Sequence, residues 1–203
     1  MLVTERHTDE LRHQGYTIIE NVVTETQCDI WVGQYKEWLA QFEENEWPFP
    51  NNFPIQRYNI ANFESSWQAR LATKEVFSEL WHTEKLLTTV DIISIGRPPE
   101  NSDEEFALPG QEEFCCDQDI LRKGLHAYQG KLFLEHAEED DWTFSVVKGS
   151  HQFLDEFHEN NRESSLKHHL NRCNYLRDKH VEWFESKGCI RHRTSVPKGG
   201  MVL

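Results

Sequence analysis

No run of apolar residues in the 203-residue chain approaches the roughly 18 needed for a membrane-spanning helix. The first residues, Met1-Leu2-Val3-Thr4-Glu5-Arg6-His7, lack the apolar core of a signal peptide. Cysteine is scarce: the five residues at 28, 115, 116, 173 and 189 form no C-x-x-C pair, and their number is odd, which argues against a disulfide framework or a zinc knuckle. Basic residues are outnumbered, 21 Lys and Arg against 35 Asp and Glu, giving a formal charge of −14. That balance excludes non-specific attachment to nucleic acid or to an anionic membrane, both of which need a net basic face. No G-x-S-x-G turn presents a nucleophile. These absences leave a cytoplasmic protein with no nucleic-acid or membrane partner.

What is present suits one globular domain over residues 1–203: 37% hydrophobic and 12% aromatic residues are enough for a real core. Thr8 is placed to cap a short helix that Gly15 ends, and Tyr16-Thr17-Ile18-Ile19 reads as a buried strand. Thr24-Glu25-Thr26-Gln27 has the form of a capping box. The helix after it carries Cys28, Trp31, Val32, Tyr35, Trp38, Leu39 and Phe42 on one apolar face, with Cys28 a small apolar member of it. Three prolines between 47 and 54 exclude helix there and set an extended surface loop. Ser65 or Ser66 is placed to cap a helix bearing Trp67 and Leu71. A further helix bears Val76, Phe77, Leu80 and Trp81, and residues 90–95 read as a strand. Residues 100–105, with Pro109-Gly110 after them, read as a polar surface loop.

Beyond residue 114 the pattern changes. Residues 125–135 and 143–147 read as strands joined by the acidic turn Glu138-Glu139-Asp140-Asp141, and Gly149-Ser150-His151 ends the second. Residues 152–158 begin a helical segment, Val181-Glu182-Trp183-Phe184 lie on another helix ended by Gly188, and residues 189–196 and 201–203 read as strands about a Pro197-Lys198-Gly199-Gly200 turn. Helices first and strands afterwards predict an α+β domain whose sheet closes as a sandwich, with the helix of residues 24–42 packed on its outer face. Gln129 and Lys131 share one strand face, Tyr128 and Gly130 the other; whichever is inward lines the mouth of the sandwich.

Several of these segments match one family in order and spacing. Gly15-Tyr16, Leu80-Trp81 with Val90-Asp91, Asp117-Gln118, Tyr128-Gln129-Gly130, Val147-Lys148-Gly149-Ser150-His151 and Pro197-Lys198-Gly199-Gly200-Met201-Val202-Leu203 together resemble the phytanoyl-CoA dioxygenase-like family of Fe(II)/2-oxoglutarate oxygenases, in its H-x-D-Q branch. The resemblance implies a double-stranded β-helix, or jelly roll, with helices on one sheet. It also implies Fe(II) and 2-oxoglutarate as cofactors, Asp117 as metal carboxylate and Gln129 beside the cofactor. Such a metal site takes two His and one carboxylate and leaves positions open for substrate and O₂.

Cys115 stands where the resemblance puts the first His. Asp117-Gln118-Asp119 offers a second alignment, with Asp in place of His, but it spoils the spacing to Gln129. The chain stops at Leu203, where the family continues into W-D-S-R, the second His and an Arg that pairs with 2-oxoglutarate. Cys115 and Asp117 are the two candidate metal ligands, with His126 and His136 near enough in sequence to supply a third. The plainer alternative for Cys115 is a small buried thiol beside a loop carboxylate, and for His151 a turn or capping role. No catalytic residue is assigned.

The expectation is a C-terminally incomplete, catalytically impaired member of the fold that binds a small-molecule ligand or a partner. The alternative is an active hydroxylase of a small or lipid-like substrate, or a fragment of one. An open sheet edge beside Met201-Val202-Leu203 predicts homodimerisation.

Overall fold

A computed structural model describes residues 1–43, 55, 58–90, 93–96, 114–116, 118, 122–141, 143–161 and 174–203. The proline-rich loop at 47–54, the polar loop at 100–105 with Pro109-Gly110, and Asp117 and Asp119 lie outside the described residues. The described elements, in order, are α1 (Glu5–Gln14), β1 (Ile18–Ile19), α2 (Glu25–Leu39), a 3₁₀ turn (Ile60–Asn62), α3 (Glu64–Ala72), α4 (Lys74–Trp81), β2 (Cys115–Cys116) and β3 (Lys131–Leu132). They continue with β4 (Phe144–Lys148), a second 3₁₀ turn (Ser150–Phe153), α5 (Leu154–Asn160), β5 (Asn174–Tyr175), α6 (Asp178–Ser186), β6 (Ile190–Thr194) and β7 (Met201–Val202). The architecture is α+β with antiparallel pairing throughout these strands: β1-β7-β3 form a three-stranded sheet, and β2-β5 and β4-β6 form pairs.

The middle of the three-stranded sheet is β7. Ile18 and Ile19 oppose Val202 and Met201 on one side, and Lys131 and Leu132 oppose the same two residues on the other. Thr17 and Leu203 exchange both backbone hydrogen bonds, and Phe133 bonds to Gly200 and Gly199 across the other side. Met201-Val202-Leu203 therefore does not border the open edge expected from the sequence. Residues from the N-terminal region and from the middle of the sequence flank it, a pairing that local pattern does not reveal.

Because side chains alternate along a strand, each row across the sheet faces one way. Ile19, Met201 and Leu203 join Val3, Leu11 of α1, and Val76, Phe77 and Leu80 of α4 in one apolar cluster, with Leu132 packed against it. Leu132 and Leu134 also pack against the cluster of Cys28, Trp31, Tyr35 and Leu39 from α2, which puts that helix on the outer face as expected. The opposite row points towards β4 and β6: Tyr16, Phe133, Val196 and Val202 cluster with Ile18, Phe144 and Val146. Behind β4, α5 and α6 bury Val147, Phe157, Val181, Phe184 and Cys189 with Phe114. The result is a helix layer, two sets of antiparallel strands with a core between them, and a second helix layer.

Thr24 caps α2 by accepting from the Gln27 amide at 3.2 Å, and Gly15 ends α1 in the left-handed region at φ 85°. Other boundaries differ from expectation. Thr4, not Thr8, precedes α1, and Thr8 lies inside it, its hydroxyl donating to the Glu5 carbonyl at 2.8 Å. Ser65 and Ser66 do not cap α3; both are buried within it. Ser66 donates to the Ile60 carbonyl at 2.6 Å and receives the Tyr35 hydroxyl at 2.7 Å, tying α3 to α2. Of residues 125–135 only Lys131–Leu132 is regular strand, since β7 alone pairs with it and is two residues long. The strand expected over 90–95 is represented by Ile93, bridged to Ile55.

Two glycines have opposite consequences. Gly199 sits at φ 75°, and a Cβ there would meet the backbone carbonyl of Val23. Gly33 lies in α2 with nothing within 4 Å of such a Cβ. Gly199→Ala is therefore expected to lose at least about 1–2 kcal/mol in urea denaturation, whereas Gly33→Ala gains up to about 1 kcal/mol.

His7 supplies a pH dependence. Its ring is 5% exposed and accepts the Thr4 amide at Nδ1 (3.0 Å), with the Arg6 guanidinium 2.8 Å from Nε2. Burial first, and the Arg6 charge second, hold its pKa below the usual 6.5, against an opposing pull from Glu10. The folded state thus favours neutral imidazole, so this contribution is complete above pH 6.5 and fades as pH falls towards the lower folded-state value. Urea midpoints across that range should fall with pH in the wild type, with a shallower slope in His7→Gln.

Candidate functional site

At Lys131 sheet geometry decides which way the candidate face of β3 is turned. The neighbouring Gly130 lies on the helix side, where an added Cβ would strike Met201 and Phe77. Tyr128 points the same way, its ring 4.9 Å from that of Trp81 at the end of α4. Alternation then turns Lys131 and Phe133 towards the opposite strand set, and Phe133 is buried in that core, while Gln129 lies ahead of β3 and is exposed. The face of β3 that carries Lys131 and Phe133 is the one turned to the strands opposite, with Phe133 buried there and Lys131 exposed.

Across the sheet Lys131 shares its row with Val202 and Ile18, and its Nζ lies 5.0 Å from the centroid of the Phe133 ring. Solvent reaches the side chain, yet enough protein surrounds it that desolvation lowers its pKa. Farther in, Tyr16 packs 5.8 Å from Phe144 and 5.7 Å from His192, and its hydroxyl pKa is raised, first by burial and then by Glu10. Tyr16, Phe133, Val196 and Val202 thus fill the core between the strand sets, with Lys131 exposed beside it.

The cysteine pair sits elsewhere in the framework. Cys115 and Cys116 form β2 opposite Tyr175 and Asn174 of β5. Phe114 enters the cluster behind β4, so Cys115, the next residue, points to the other face. Cys115 is exposed, which corrects the expectation of a buried thiol; the strand pair is only two residues long and leaves that face uncovered. Cys116 is half buried, its Sγ 3.7 Å from the Gln118 carbonyl.

The histidines proposed as third ligands have other roles. His126 donates to the Lys123 carbonyl at 2.7 Å, and His136 meets Glu138 at 2.7 Å, an interaction that lowers the Glu138 pKa. Among the described residues no three His, Cys, Asp or Glu side chains stand together as a metal site. Asp117 lies outside the described residues, and among the described residues no metal site is completed around Cys115.

His151 docks the two helix layers. Its Nε2 donates to the Arg12 carbonyl at 3.0 Å, the Gln152 amide to the His13 carbonyl at 2.9 Å, and the Gly149 N–H to the Gln14 carbonyl at 2.9 Å. Three carbonyls at the C-terminal end of α1, which no helical N–H can reach, are satisfied in this way. The capping role expected for His151 is met on a helix remote in sequence.

The sequence places Gln129 and Lys131 on one face and Tyr128 and Gly130 on the other without choosing between them, because Leu132, Phe133 and Leu134 are all apolar. A strand covered on both faces loses the alternation that shows which side is inward. Gly130 was the available signal, since a glycine in a strand marks close approach of another element.

Comparison with known proteins finds a distant similarity. Over 214 aligned residues the chain is 27% identical to Ava biosynthesis cluster protein O of Aspergillus versicolor, covering 96% of this chain and 68% of that protein. No family profile matches the chain, and no solved structure matches it.

Thiol reactivity tests the placement of the cysteines. Cys28 and Cys189 are 0% and 5% exposed, and burial raises both thiol pKa values. Native alkylation followed by peptide mapping should label Cys115 first and spare Cys28 and Cys189 until denaturant is added.

Proposed function

We propose that the chain is a small-molecule-binding protein on the double-stranded β-helix of the Fe(II)/2-oxoglutarate oxygenases, with its oxidative turnover impaired. The observation that carries the binding half is Lys131, exposed beside the Phe133 ring on the face of β3 that meets the aromatic cluster of Tyr16 and Phe144. Ligand sites of this form combine an apolar lining with a few placed polar groups. Two antiparallel strand sets with a core between them support the jelly-roll reading, although helices cover the outer faces of both. The biosynthesis cluster in the relative's name supports a small molecule over a macromolecular ligand.

Impairment is read from Cys115, which replaces an imidazole by a thiol at the position the resemblance assigns to the first metal ligand. Asp117 and Cys115 would hold the metal, and Fe(II) with 2-oxoglutarate supplies, when bound, the oxidation by O₂ that hydroxylates a C–H bond. The chain's own contribution is to receive the ligand: Tyr16, Phe133 and Phe144 supply apolar surface, and Gln129 and Lys131 orient polar groups. A second reading, an active hydroxylase of a small or lipid-like substrate, draws on the exposure of Cys115, since a thiolate open to solvent is a competent ligand for a soft or borderline metal.

Aerobic incubation with Fe(II) and 2-oxoglutarate separates the two. The expected result is no succinate above the protein-free background, with tighter Fe(II) binding in Cys115→His than in the wild type. Succinate release by the wild type, lost in Asp117→Ala, would replace the proposal with the second reading.

A further inference from the structure

We propose that residues 125–133 form an open sheet edge that receives an extended, acidic peptide segment of a partner protein. This is separate from the ligand reading above and stands without it. The chain runs through these residues without a bend, and its last part is β3. Phe133 turns its N–H to the Gly200 carbonyl, towards β7, so Gly130 and Leu132, one residue out of phase, turn theirs to the opposite side. Among the described residues no strand lies on that side of β3, and neither Gly130 nor Leu132 makes a backbone hydrogen bond there. Leu125, His126, Ala127 and Gly130 are exposed, so a strand can reach the edge from outside. The edge is also held in shape before any partner arrives. His126 meets the Lys123 carbonyl at 2.7 Å, the Tyr128 ring lies 4.9 Å from that of Trp81, and Gly130 is pressed on Met201 and Phe77. A pre-formed edge spares a partner part of the ordering cost of binding.

The chemistry of the partner follows from charge. No Asp or Glu stands between Asp119 and Glu135, in a chain with 35 of them, and that window carries Arg122, Lys123 and Lys131. Lys123 meets Glu159 of α5 at 3.6 Å, but both side chains stay largely exposed, so the pair exchanges readily for a partner's carboxylate. The formal charge of −14 repels an acidic segment from the rest of the surface and leaves this window as the place that receives one. A second copy of the chain is disfavoured, because two-fold pairing of the edge gathers the same basic residues of both copies at one interface. An added strand binds through main-chain hydrogen bonds, and its alternate side chains set specificity. A segment that alternates apolar and acidic residues suits this edge: its carboxylates meet the basic residues, and its apolar side chains meet Leu125, which is 60% exposed.

Fluorescence anisotropy of the full chain with a labelled, end-blocked peptide of alternating valine and glutamate tests the proposal, with a valine–lysine peptide as control. The glutamate peptide should bind, more weakly as salt rises, and the lysine peptide should bind about tenfold more weakly or not at all. Adding the glutamate peptide should slow hydrogen exchange at the amides of Gly130 and Leu132, the two that face the open side. Arg122→Glu should weaken binding by about threefold or more while keeping the wild-type circular dichroism spectrum. No binding of the glutamate peptide, equal binding of the lysine peptide, or wild-type affinity in Arg122→Glu overturns the proposal. Unchanged exchange at Gly130 and Leu132 overturns it on the wild-type chain alone, whatever the variant does. A dimer in sedimentation that protects the same two amides also overturns it, since a second copy would then be the occupant.

Discussion

Two residues, Met201 and Val202, carry more of this structure than their length suggests. Their backbone pairs on both sides, with β1 and with β3, and their side chains divide between two cores. Met201 is 2% exposed against the helices α1 and α4, and Val202 is 2% exposed against the strands opposite. A large side chain of this kind contributes about 1.5–3 kcal/mol by burial, but the geometric effect is greater. Without β7, β1 and β3 have no common neighbour among the described residues, and the face that carries Lys131 has no fixed orientation.

The helix layers take their positions from this sheet through few polar fixtures. Lys198, in the turn leading into β7, contacts Asp29 of α2 at 2.6 Å and Glu135 after β3 at 3.0 Å, and the two carboxylates raise its pKa. Glu79 of α4 accepts the backbone N–H groups of Leu2 and Val3 at 2.9 and 2.6 Å, fastening the segment ahead of α1. Trp31 donates from its indole to Gln68 at 3.0 Å, joining α2 to α3. Each fixture lies at the margin of an apolar cluster, where its donors and acceptors need partners but retain some access to water. The clusters hold the layers together, and the polar contacts select their relative placement.

How much of this was legible depended on whether the cause was local. The cap at Thr24 and the stop at Gly15 are decided within one helical turn, and the apolar face from Cys28 to Leu39 repeats along one element; all were readable. The serines at 65 and 66 look like caps because short hydroxyl side chains compete for backbone groups. Ser66 instead spends its hydroxyl on Ile60 and Tyr35, a choice made by packing against another helix. The short reach of β3 and the central place of β7 were illegible for the same reason, since each depends on partners remote in sequence. The site divides in the same way. The residue types at Cys115 and Gln129 were visible, whereas the direction of Lys131 depends on Gly130 meeting Met201.

The pairing of Ile18 with Val202 also sets an order of events during synthesis. The hydrogen-bonding partner of β1 lies roughly 180 residues downstream, and the carbonyls ending α1 wait for Gly149, His151 and Gln152. On a ribosome that adds about 5–20 residues per second, the first helix and strand are therefore exposed for about ten seconds or longer before β7 is made. Throughout that interval Ile18, Ile19 and the apolar side of α1 are open to whatever else is nearby. The N-terminal segment is thus the part of this protein with most to gain from a chaperone that holds nascent chains.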